Sequence, residues 1–360
     1  MDIRELDQNF SFGNISRDGL LWLSREASGI AVSGAADPAN FYRISKTDAV
    51  PLPYAVQCIS ECTAGVRLRF RTDADYIALK AVIRYTDDMS HMPRSGSAGF
   101  DLFAGPAGGP LSFRKVFMPE NGRREVSGEA FLPGREERDV LLNFPLYNGV
   151  QEVAVGLPPD SRLKPPSPFR FPSPVVFYGS SITQGGCASR PGNAYPAIVC
   201  RELNADMLNL GFTGNAKGEP EMAAYIAGLD MSALVLDYDY NAANAEALEA
   251  THEPFFRTIR ERHPALPILL LSKPNVDNDE IESARRRDVI LRTYQRAVNR
   301  GDRRVYFLDG AFLFGTDHRD CCTVDGCHPN DLGFLRMAEA VLPVLRAALE
   351  DNGGETTFFD

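Results

Sequence analysis

The sequence has few residues of several kinds, and each shortage excludes a class of protein. No run of 18 or more apolar residues is present, so we expect no membrane-spanning helix. The N-terminal segment lacks the apolar core and cleavage pattern of a secretory signal, which predicts a cytoplasmic protein. Basic residues are outnumbered, with 38 Lys and Arg against 48 Asp and Glu and a net charge of -10. We therefore expect no nucleic-acid or anionic-membrane partner, because phosphate binding needs a clustered positive surface.

The cysteines also favour a cytoplasmic location. The chain has seven cysteines, an odd number, at uneven spacings. A long chain with such a set is typical of a reducing compartment and not of a disulfide framework.

The length and one proline-rich segment predict two domains. The chain of 360 residues is too long for one ordinary core, and with 44% hydrophobic residues it is expected to be folded throughout. Seven prolines fall among the eighteen residues from Leu157 to Pro174. Such a segment cannot join a sheet interior or a helix and is expected to be an extended connector. We therefore predict a first domain over 1–157, a linker over 158–174, a second domain over 175–352 and a tail over 353–360.

The first half has the pattern of an antiparallel β domain. Residues 66–71 alternate apolar side chains with arginines, residues 76–85 form a further strand, and residues 72–75 between them are predicted to form a hairpin loop. Further strands are predicted at 99–104, 114–117, 139–144 and 152–156. Many short strands with Gly- and Pro-rich turns favour a β-sandwich or jelly roll. Two roles stay open for it: binding sugar through exposed aromatics, or packing against the catalytic domain.

The second half alternates strands with helices. Five strands are predicted at 175–178, 206–210, 233–237, 268–272 and 305–309. Five helices are predicted at 195–203, 219–227, 245–262, 279–300 and 332–349. Because the strands are almost entirely apolar, both faces of their sheet are expected to be covered. The pattern therefore predicts an open, doubly wound parallel α/β sheet, with a site where several strand ends meet.

The first of these strands ends abruptly in Gly179-Ser180-Ser181, before a helix. A serine at the carboxyl end of a parallel strand faces a crevice and can act as a nucleophile. The alternative is a polar turn without chemistry.

Asp325 and His328 supply what a serine nucleophile needs. Acyl transfer requires a base and a group that orients it, and an aspartate three residues before a histidine can fix the imidazole tautomer. The pattern Asp-x-x-His is weak alone. It gains weight from the strand-end serine and from the Asn- and Gly-containing segments after the second and third strands, 209–215 and 237–241.

These segments carry a family resemblance. Residues 179–183 resemble the first block of the SGNH (GDSL-type) hydrolases, and residues 325–329 resemble the last block, which carries the catalytic Asp and His. Residues 209–215 are similar to the block whose glycine N–H serves the oxyanion hole, which implies that role for Gly214. Residues 239–242 resemble the Gly-x-Asn-Asp block, which implies that Asn241 donates from its side chain. Residues 99–103 and 144–150 also resemble the β domain that precedes the hydrolase in one bacterial branch.

Three residues depart from the family pattern. Ser180 stands where many members have Asp, which should alter the polarity beside the nucleophile. Asp239 and Ala242 replace the usual Gly and Asp of the third block. If that glycine adopts a positive φ angle, Asp239 must tolerate the same conformation.

The resemblance implies a serine esterase without a cofactor. Ser181 would attack, His328 would act as base and Asp325 would orient it, while the N–H groups of Ser181 and Gly214 and the side chain of Asn241 bind the oxyanion. The substrate is expected to be a small-molecule or carbohydrate ester with a short acyl group, acetyl in the first place, since no long apolar lid segment is present. Two alternatives stay open: an acyltransferase on the same triad, and an inactive carbohydrate-binding protein.

Four further residues near the nucleophile are candidates for lining the substrate site. Thr183 and Gln184 are expected to cap or line the turn. Arg190 and Asn193 lie in the Gly-rich loop that follows, where contact with substrate and simple solvation are both open.

The other clusters have plainer interpretations. Zinc binding is considered because five possible ligands crowd together: His318, Cys321, Cys322, Cys327 and His328. Adjacent cysteines lack the paired spacing of a structural zinc site, so no metal is expected. Cys187 and Cys327 are expected near the pocket, either as a disulfide or as buried thiols. The basic run 285–287 lies in a charged helical segment and is interpreted as a solvated face.

Overall fold

The structure, a computed structural model, describes residues 13–45, 51–86 and 88–351. The chain divides into two compact units. The described residues of the first unit are 13–45, Glu61–Pro168 and Gly186–Asn193, and those of the second are 51–60, Phe169–Gly185 and 194–351. The boundaries at 158 and 175 remain our proposal for the domains.

The first unit contains two antiparallel sheets. The strands are β1 (Leu21–Ser24), β2 (Ala31–Ser33), β3 (Arg67–Thr72), β4 (Tyr76–Ile83), β5 (Phe100–Pro106), β6 (Ser112–Phe117), β7 (Glu125–Phe131), β8 (Arg138–Asn143), β9 (Val150–Leu157) and β10 (Leu163–Lys164). One sheet has the order β1-β9-β4-β7, and the other has the order β10-β3-β8-β5-β6, with β2 beside β3. Apolar side chains of both sheets form one buried core, for example Leu68 and Leu142 from one sheet and Leu79 and Val155 from the other. The predicted β-sandwich is confirmed.

The hairpin predicted at residues 72–75 is wrong. β3 pairs with β8, where Leu68 lies opposite Leu142, whereas β4 pairs with β7 and β9 in the other sheet. The short connection therefore carries the chain from one sheet to the other. Period-two alternation identifies the buried face of a strand, but it does not identify the neighbour, and both strands contribute their apolar face to the same core.

The proline-rich segment includes a short strand that the sequence did not predict. Leu163 and Lys164 form β10, which pairs with the end of β3. This strand lies at the sheet edge, where the neighbouring Pro159 and Pro165 interrupt no internal ladder.

The second unit is the predicted parallel α/β sheet. Its strands are β11 (Val175–Gly179), β12 (Met207–Gly211), β13 (Ala233–Asp237), β14 (Ile268–Leu271) and β15 (Val305–Leu308). The α-helices among the described residues are α1 (Tyr54–Ile59), α2 (Arg94–Ser97), α3 (Ser181–Gln184), α4 (Tyr195–Leu203), α5 (Pro220–Ala227), α6 (Ala245–Arg262), α7 (Glu280–Asn299) and α8 (Asp331–Glu350), of which α2 lies in the first unit. Every residue of β11 to β14 is buried, as expected for strands covered on both faces.

The strand order places a crevice at the end of β11. The order is β12-β11-β13-β14-β15, so the connection from β11 leads to one side and the next connection returns past it to the other. In open α/β sheets such a reversal marks the place at the carboxyl ends of the strands where ligands bind. Among the described residues, we find no helix with the length and apolar character needed to cross a bilayer.

Candidate active site

Ser181 is held at the start of a helix directly behind β11. It is the first residue of α3, and the Ser180 side chain caps this helix by accepting the N–H of Ile182 over 3.2 Å. A side chain on Gly179 would meet Thr183 Oγ1 at 2.0 Å and the Asp237 carbonyl oxygen at 2.4 Å, so only glycine lets the helix fold back so closely. A serine cap does here what an aspartate would do, which accounts for Ser180 at this position.

Ser181, His328 and Asp325 form a continuous chain of hydrogen bonds. Ser181 Oγ lies 2.9 Å from Nε2 of His328, and Nδ1 of His328 lies 2.7 Å from Oδ2 of Asp325. An ionised carboxylate only accepts, so Nδ1 carries the proton and the unprotonated Nε2 accepts the serine hydroxyl. The arrangement can therefore deprotonate Ser181 when an acyl carbonyl approaches.

The turn that carries His328 is tightly bonded. Oδ1 of Asp325 accepts the backbone N–H of His328 over 2.7 Å and that of Cys327 over 3.0 Å. Partial burial alone would raise the pKa of Asp325, but the hydrogen bonds from His328 and Cys327 outweigh it and lower this pKa to about 2. Asp325 is therefore ionised throughout the pH range in which an esterase works.

Two asparagines that the sequence analysis missed also hold this turn. The side-chain amides of Asn275 and Asn278 both donate to the Gly326 carbonyl oxygen. They follow β14, the one strand whose polar carboxyl end the sequence analysis did not consider, and the same rule applied there finds them. Their role is to fix the backbone between Asp325 and His328.

The loop with Gly214 and the side chain of Asn241 are linked. Gly214 adopts φ +66, which favours glycine, and no atom beyond its chain neighbours lies within 4 Å of the position that a Cβ would take. The Asn241 side chain donates to the Phe212 carbonyl oxygen over 3.0 Å, and the Thr213 N–H donates to Gln184 Oε1 over 3.1 Å. The loop is thus fixed from both sides, and the second N–H of the Asn241 amide is not used by the bond to Phe212.

The substitution of Asp239 for glycine causes no backbone strain. Asp239 begins a short 3-10 helix, and it is not among the residues with positive φ. The conformation that the sequence analysis considered for this position is therefore not required.

Thr183 and Gln184 are the buried last two residues of α3, the helix that begins with Ser181. Both are 0% exposed. Thr183 Oγ1 donates to Asp237 Oδ2 over 2.9 Å, and Gln184 bonds to the loop of Gly214 as described. Their burial argues against direct contact with substrate, and their bonds hold the α3 turn to β13 and to the loop after β12.

Asp237 and Asp239 form a buried acidic pair at the end of β13. Oδ2 of Asp237 accepts the hydroxyls of Thr183 and Tyr195, while Oδ1 of each aspartate is buried without a hydrogen-bond partner. Burial and then the charge of Asp239 raise the pKa of Asp237 to about 7. Burial raises the pKa of Asp239 to about 6, against the lowering effects of the Lys273 N–H and the Arg286 charge.

Arg190 and Asn193 belong to the first unit. Arg190 Nη1 lies 2.9 Å from Oδ2 of the buried Asp101, and its guanidinium lies over the ring of Phe113 at 4.1 Å. The N–H of Gly192 donates to the same Asp101 oxygen. The Asn193 amide makes only a long contact of 3.4 Å with Ser189 Oγ. Arg190 therefore has a structural partner, the buried Asp101.

No disulfide joins any of the seven cysteines, all of which lie in the part of the chain that the structure describes, so Cys187 and Cys327 do not pair. Burial, and then the charge of Asp325, raise the pKa of Cys327 to about 11, although Lys273 lowers it. A thiol with that pKa is a poor nucleophile at neutral pH.

A cavity of about 970 Å³ lies at the other edge of the α/β sheet. It is lined by residues that precede the strands, such as Ser232, Pro267 and Arg304, by two arginines of α6 and by Arg300, which follows α7. Arg260 and Arg304 are bonded to Asp302 and Asp351. The candidate active site is nevertheless at the carboxyl edge of the sheet, because the hydrogen-bonded Ser181, His328 and Asp325 lie there and not in this cavity.

Comparisons with known proteins agree with this architecture. Residues 172–346 match the model of the GDSL-like lipase/acylhydrolase family, and residues 20–163 match the model of the N-terminus of SGNH-hydrolase-type esterases. Comparison with curated protein sequences gives no match.

Three solved structures illustrate the likeness. A protein described as a GDSL-like lipase from Bacteroides ovatus is 28% identical, with a TM-score of 0.82 over 92% of this chain and 98% of that chain. The salicylyl-acyltransferase SsfX3 from a tetracycline biosynthetic pathway is 22% identical, with a TM-score of 0.74 over 91% and 97%. A family two carbohydrate esterase from Cellvibrio japonicus is 15% identical, with a TM-score of 0.58 over 92% and 98%. Residues 20–163 correspond to the N-terminal domain of SGNH-hydrolase-type esterases, and residues 172–346 to the hydrolase itself. The chain therefore belongs to the SGNH (GDSL-type) hydrolase family and is an enzyme that acts on esters.

Proposed function

We propose that this protein is a serine esterase that hydrolyses short-chain acyl esters, acetyl esters in the first place, through Ser181, His328 and Asp325. The observation that carries the proposal is the pair of hydrogen bonds that join these residues, 2.9 Å from Ser181 to His328 and 2.7 Å from His328 to Asp325. Asp325 is ionised, and because His328 Nδ1 donates to it, Nε2 is the nitrogen that receives the serine proton.

The first half of the reaction acylates the enzyme. Ser181 Oγ attacks the ester carbonyl while its proton passes to His328 Nε2. The negative oxygen of the tetrahedral intermediate accepts hydrogen bonds from the N–H groups of Ser181 and Gly214 and from the Asn241 amide. The intermediate collapses as the bond to the alcohol oxygen breaks, and His328 returns the proton to the departing alcohol.

The second half releases the acyl group. Water attacks the acyl-enzyme and gives its proton to His328, and the second tetrahedral intermediate breaks its bond to Ser181 Oγ, which regains the proton. The products are a carboxylic acid and the free enzyme, without a cofactor.

The substrate class is the finer part of the proposal. Short acyl groups are favoured because the sequence has no long apolar segment of the kind that covers the site of an interfacial lipase. A carbohydrate ester is our candidate for the alcohol part, since several structures of this architecture are described as carbohydrate esterases or as an acetyl xylan esterase. A cytoplasmic location, as expected from the sequence, stays a prediction that cell fractionation would test.

Acyl transfer to an alcohol is the second candidate function. It is favoured by the likeness in fold to a salicylyl-acyltransferase. The two functions use the same residues and differ only in the acceptor that attacks the acyl-enzyme. Product analysis with a competing alcohol separates them, because a transferase forms a new ester in the presence of excess water.

The test is an ester panel run on the wild type and two serine variants. The panel holds 4-nitrophenyl acetate, butyrate and octanoate together with acetylated sugars. We expect the acetyl esters to be cleaved fastest and Ser181→Ala to lower kcat by about 10⁴-fold or more. Ser180→Ala is the matched control, since it removes a neighbouring hydroxyl that only caps α3 and should cost about 1 kcal/mol of stability. An active Ser181→Ala variant would overturn the assignment, and a wild type inactive on every ester would favour the carbohydrate-binding alternative.

A further inference from the structure

Lys273 lies at the edge of the sheet where the proposed catalytic residues lie. It follows β14 by two residues, and β14 lies between β13 and β15. β13 leads into the 3-10 helix that ends with Asn241, and β15 precedes the loop that carries His328. The backbone N–H of Lys273 donates to Oδ2 of the buried Asp239 over 2.9 Å, so the start of its side chain is fixed in this edge.

The ammonium group of Lys273 makes no direct ion pair with any residue that the structure describes. Nζ lies 5.3 Å from the centre of the Tyr240 ring, in a cation–π contact, and the residue is half-buried. Within the described part of the chain, no carboxylate lies within 4.0 Å of Nζ and no hydrogen bond is made by it.

The guanidinium groups nearby differ from Lys273. Arg286 bonds to Glu282 and to the carbonyl oxygen of Asp239, and Arg319 bonds to Asp277 and to backbone carbonyls. Their charges are satisfied by the protein. The half-buried ammonium of Lys273, in contrast, makes its direct contact with the face of an aromatic ring and interacts with the charge of Asp239 only at a distance greater than that of an ion pair.

The charge of Lys273 acts next to the proposed base. It is one of the groups that set the pKa of Cys327, the residue before His328, together with burial and the Asp325 charge. Asp239 and Asp325 place carboxylates in this neighbourhood, the arginines nearby are already paired as described, and the whole chain carries a net charge of -10. Such a surface would repel an anionic ester unless a cation stood at the place where the anion binds.

We propose that Lys273 is a specificity-determining residue that binds an anionic group, such as a carboxylate, on the ester substrate. This inference rests on the proposed esterase function and names the substrate class of the same site. A bound anion supplies the counterion that the protein does not, and a partly buried pair of this kind is stronger than one in open water. The anion belongs either to the acyl part or to the alcohol part, and the experiment distinguishes the two.

The test uses two matched pairs of esters. In the first pair the charge is on the acyl part: mono-(4-nitrophenyl) succinate is compared with 4-nitrophenyl pentanoate. In the second pair it is on the alcohol part: 4-acetoxybenzoate is compared with 4-acetoxybenzamide. We expect the wild type to prefer the anionic member of one pair by about 10-fold or more in kcat/KM. That pair identifies the part of the substrate that carries the charge.

Three variants assign the preference to Lys273. Lys273→Met keeps the length of the side chain and removes the charge, and it should lower the ratio of anionic to neutral kcat/KM about 10-fold, mainly through KM. Lys273→Arg should retain most of this ratio. Lys217→Met is the control, because Lys217 is an exposed lysine in the loop after β12 at the same edge, and it should leave the ratio as it is.

Three results would overturn the inference. The first is a wild type that prefers the neutral ester in both pairs. The second is a Lys273→Met variant that slows both members of each pair equally, which would mean that Lys273 only offsets the charge of Asp239. The third is an equal effect of Lys217→Met. Failure of the esterase function itself would be seen separately, as unchanged cleavage of 4-nitrophenyl acetate by Ser181→Ala.

Discussion

Thr183 donates its hydroxyl to the buried carboxylate of Asp237 over 2.9 Å, and this bond joins the nucleophile helix to the neighbouring strand β13. The Ser180 N–H bonds to the carbonyl oxygen of the same aspartate over 3.1 Å. Ser181 lies between these two attachments. The position of Ser181 is therefore set in part by Asp237, which has no chemical step in the proposed reaction.

Removing the Thr183 hydroxyl should destabilise the protein and slow the reaction. Thr183→Val keeps the shape of the side chain but deprives a buried carboxylate of a donor, which typically costs about 1–3 kcal/mol. Urea unfolding measures this loss, and Thr183→Ser should restore most of it. Equal stability of Val and Ser variants would show that the bond to Asp237 contributes nothing.

Stability should fall as the pH rises through the titration of Asp237. Its pKa is raised to about 7 by burial and then by Asp239, so the folded protein keeps a proton that the unfolded chain loses near pH 4. Between these values the unfolded state binds fewer protons, and the free energy of unfolding falls by up to about 1.4 kcal/mol per pH unit.

Asp237→Asn isolates this contribution. The amide oxygen can still accept from Thr183 and Tyr195, but the residue no longer titrates. We expect the decrease in unfolding free energy between pH 5 and pH 8 to be smaller in the variant, as measured by urea titration at both pH values. Identical pH dependence in both proteins would contradict the assigned pKa.

Asp325→Asn should leave the fold intact and remove most of the activity. An amide at this position can present its N–H to Nδ1 of His328, which favours the wrong tautomer, and comparable changes cost about 10⁴-fold in kcat. Steady-state kinetics on 4-nitrophenyl acetate measures the loss. A variant within 10-fold of the wild type would mean that another group orients His328.

Asn241→Ala should lower kcat by about 10²–10³-fold with little change in KM, because the amide is proposed to bind the oxyanion and not the ground state. The variant also loses the bond to Phe212. Asn215→Ala is the control, since its amide makes a similar bond to the Thr213 carbonyl oxygen without an oxyanion role. Equal losses in both variants would assign the effect to loop structure alone.

Arg190→Ala should lower stability by about 3 kcal/mol, near the low end for breaking a buried ion pair, because Asn143 and Gly192 still donate to Asp101. Arg257→Ala breaks an exposed pair with Glu261 and should cost less than about 1 kcal/mol. If Arg190 contacts substrate instead, KM will rise while the unfolding free energy stays close to that of the wild type.

The α/β unit was predictable because its strands are buried on both faces. Continuous apolar runs such as Ala233–Asp237 have clear limits, and helices such as α4 and α6 begin and end where predicted. The β-sandwich was predictable as a class but not in its pairing. Strand β7 was missed because its Ser, Gly and Glu residues weaken the alternation, and the partner of a strand is set by contacts distant in sequence.

The proposed catalytic residues could be identified from the sequence, whereas the contacts that support them could not. Ser181, Asp325 and His328 lie in short segments with recognisable residue types. The hydrogen bonds of Asn275 and Asn278 to the turn that carries His328, and of Gln184 to the Gly214 loop, join residues that are 29 to 51 positions apart in sequence. Charge and hydrogen-bonding capacity are visible in a sequence, but the partner of each group is not.

Covalent trapping is the most direct test of whether Ser181 is a nucleophile that His328 activates. The protein is treated with a fluorophosphonate, digested and analysed by peptide mass spectrometry. We expect one modified residue, Ser181. Labelling should be greatly slowed in His328→Ala, because the Ser181 hydroxyl then lacks its base. Labelling at another serine, or labelling of Ser181 at the same rate without His328, would contradict this expectation.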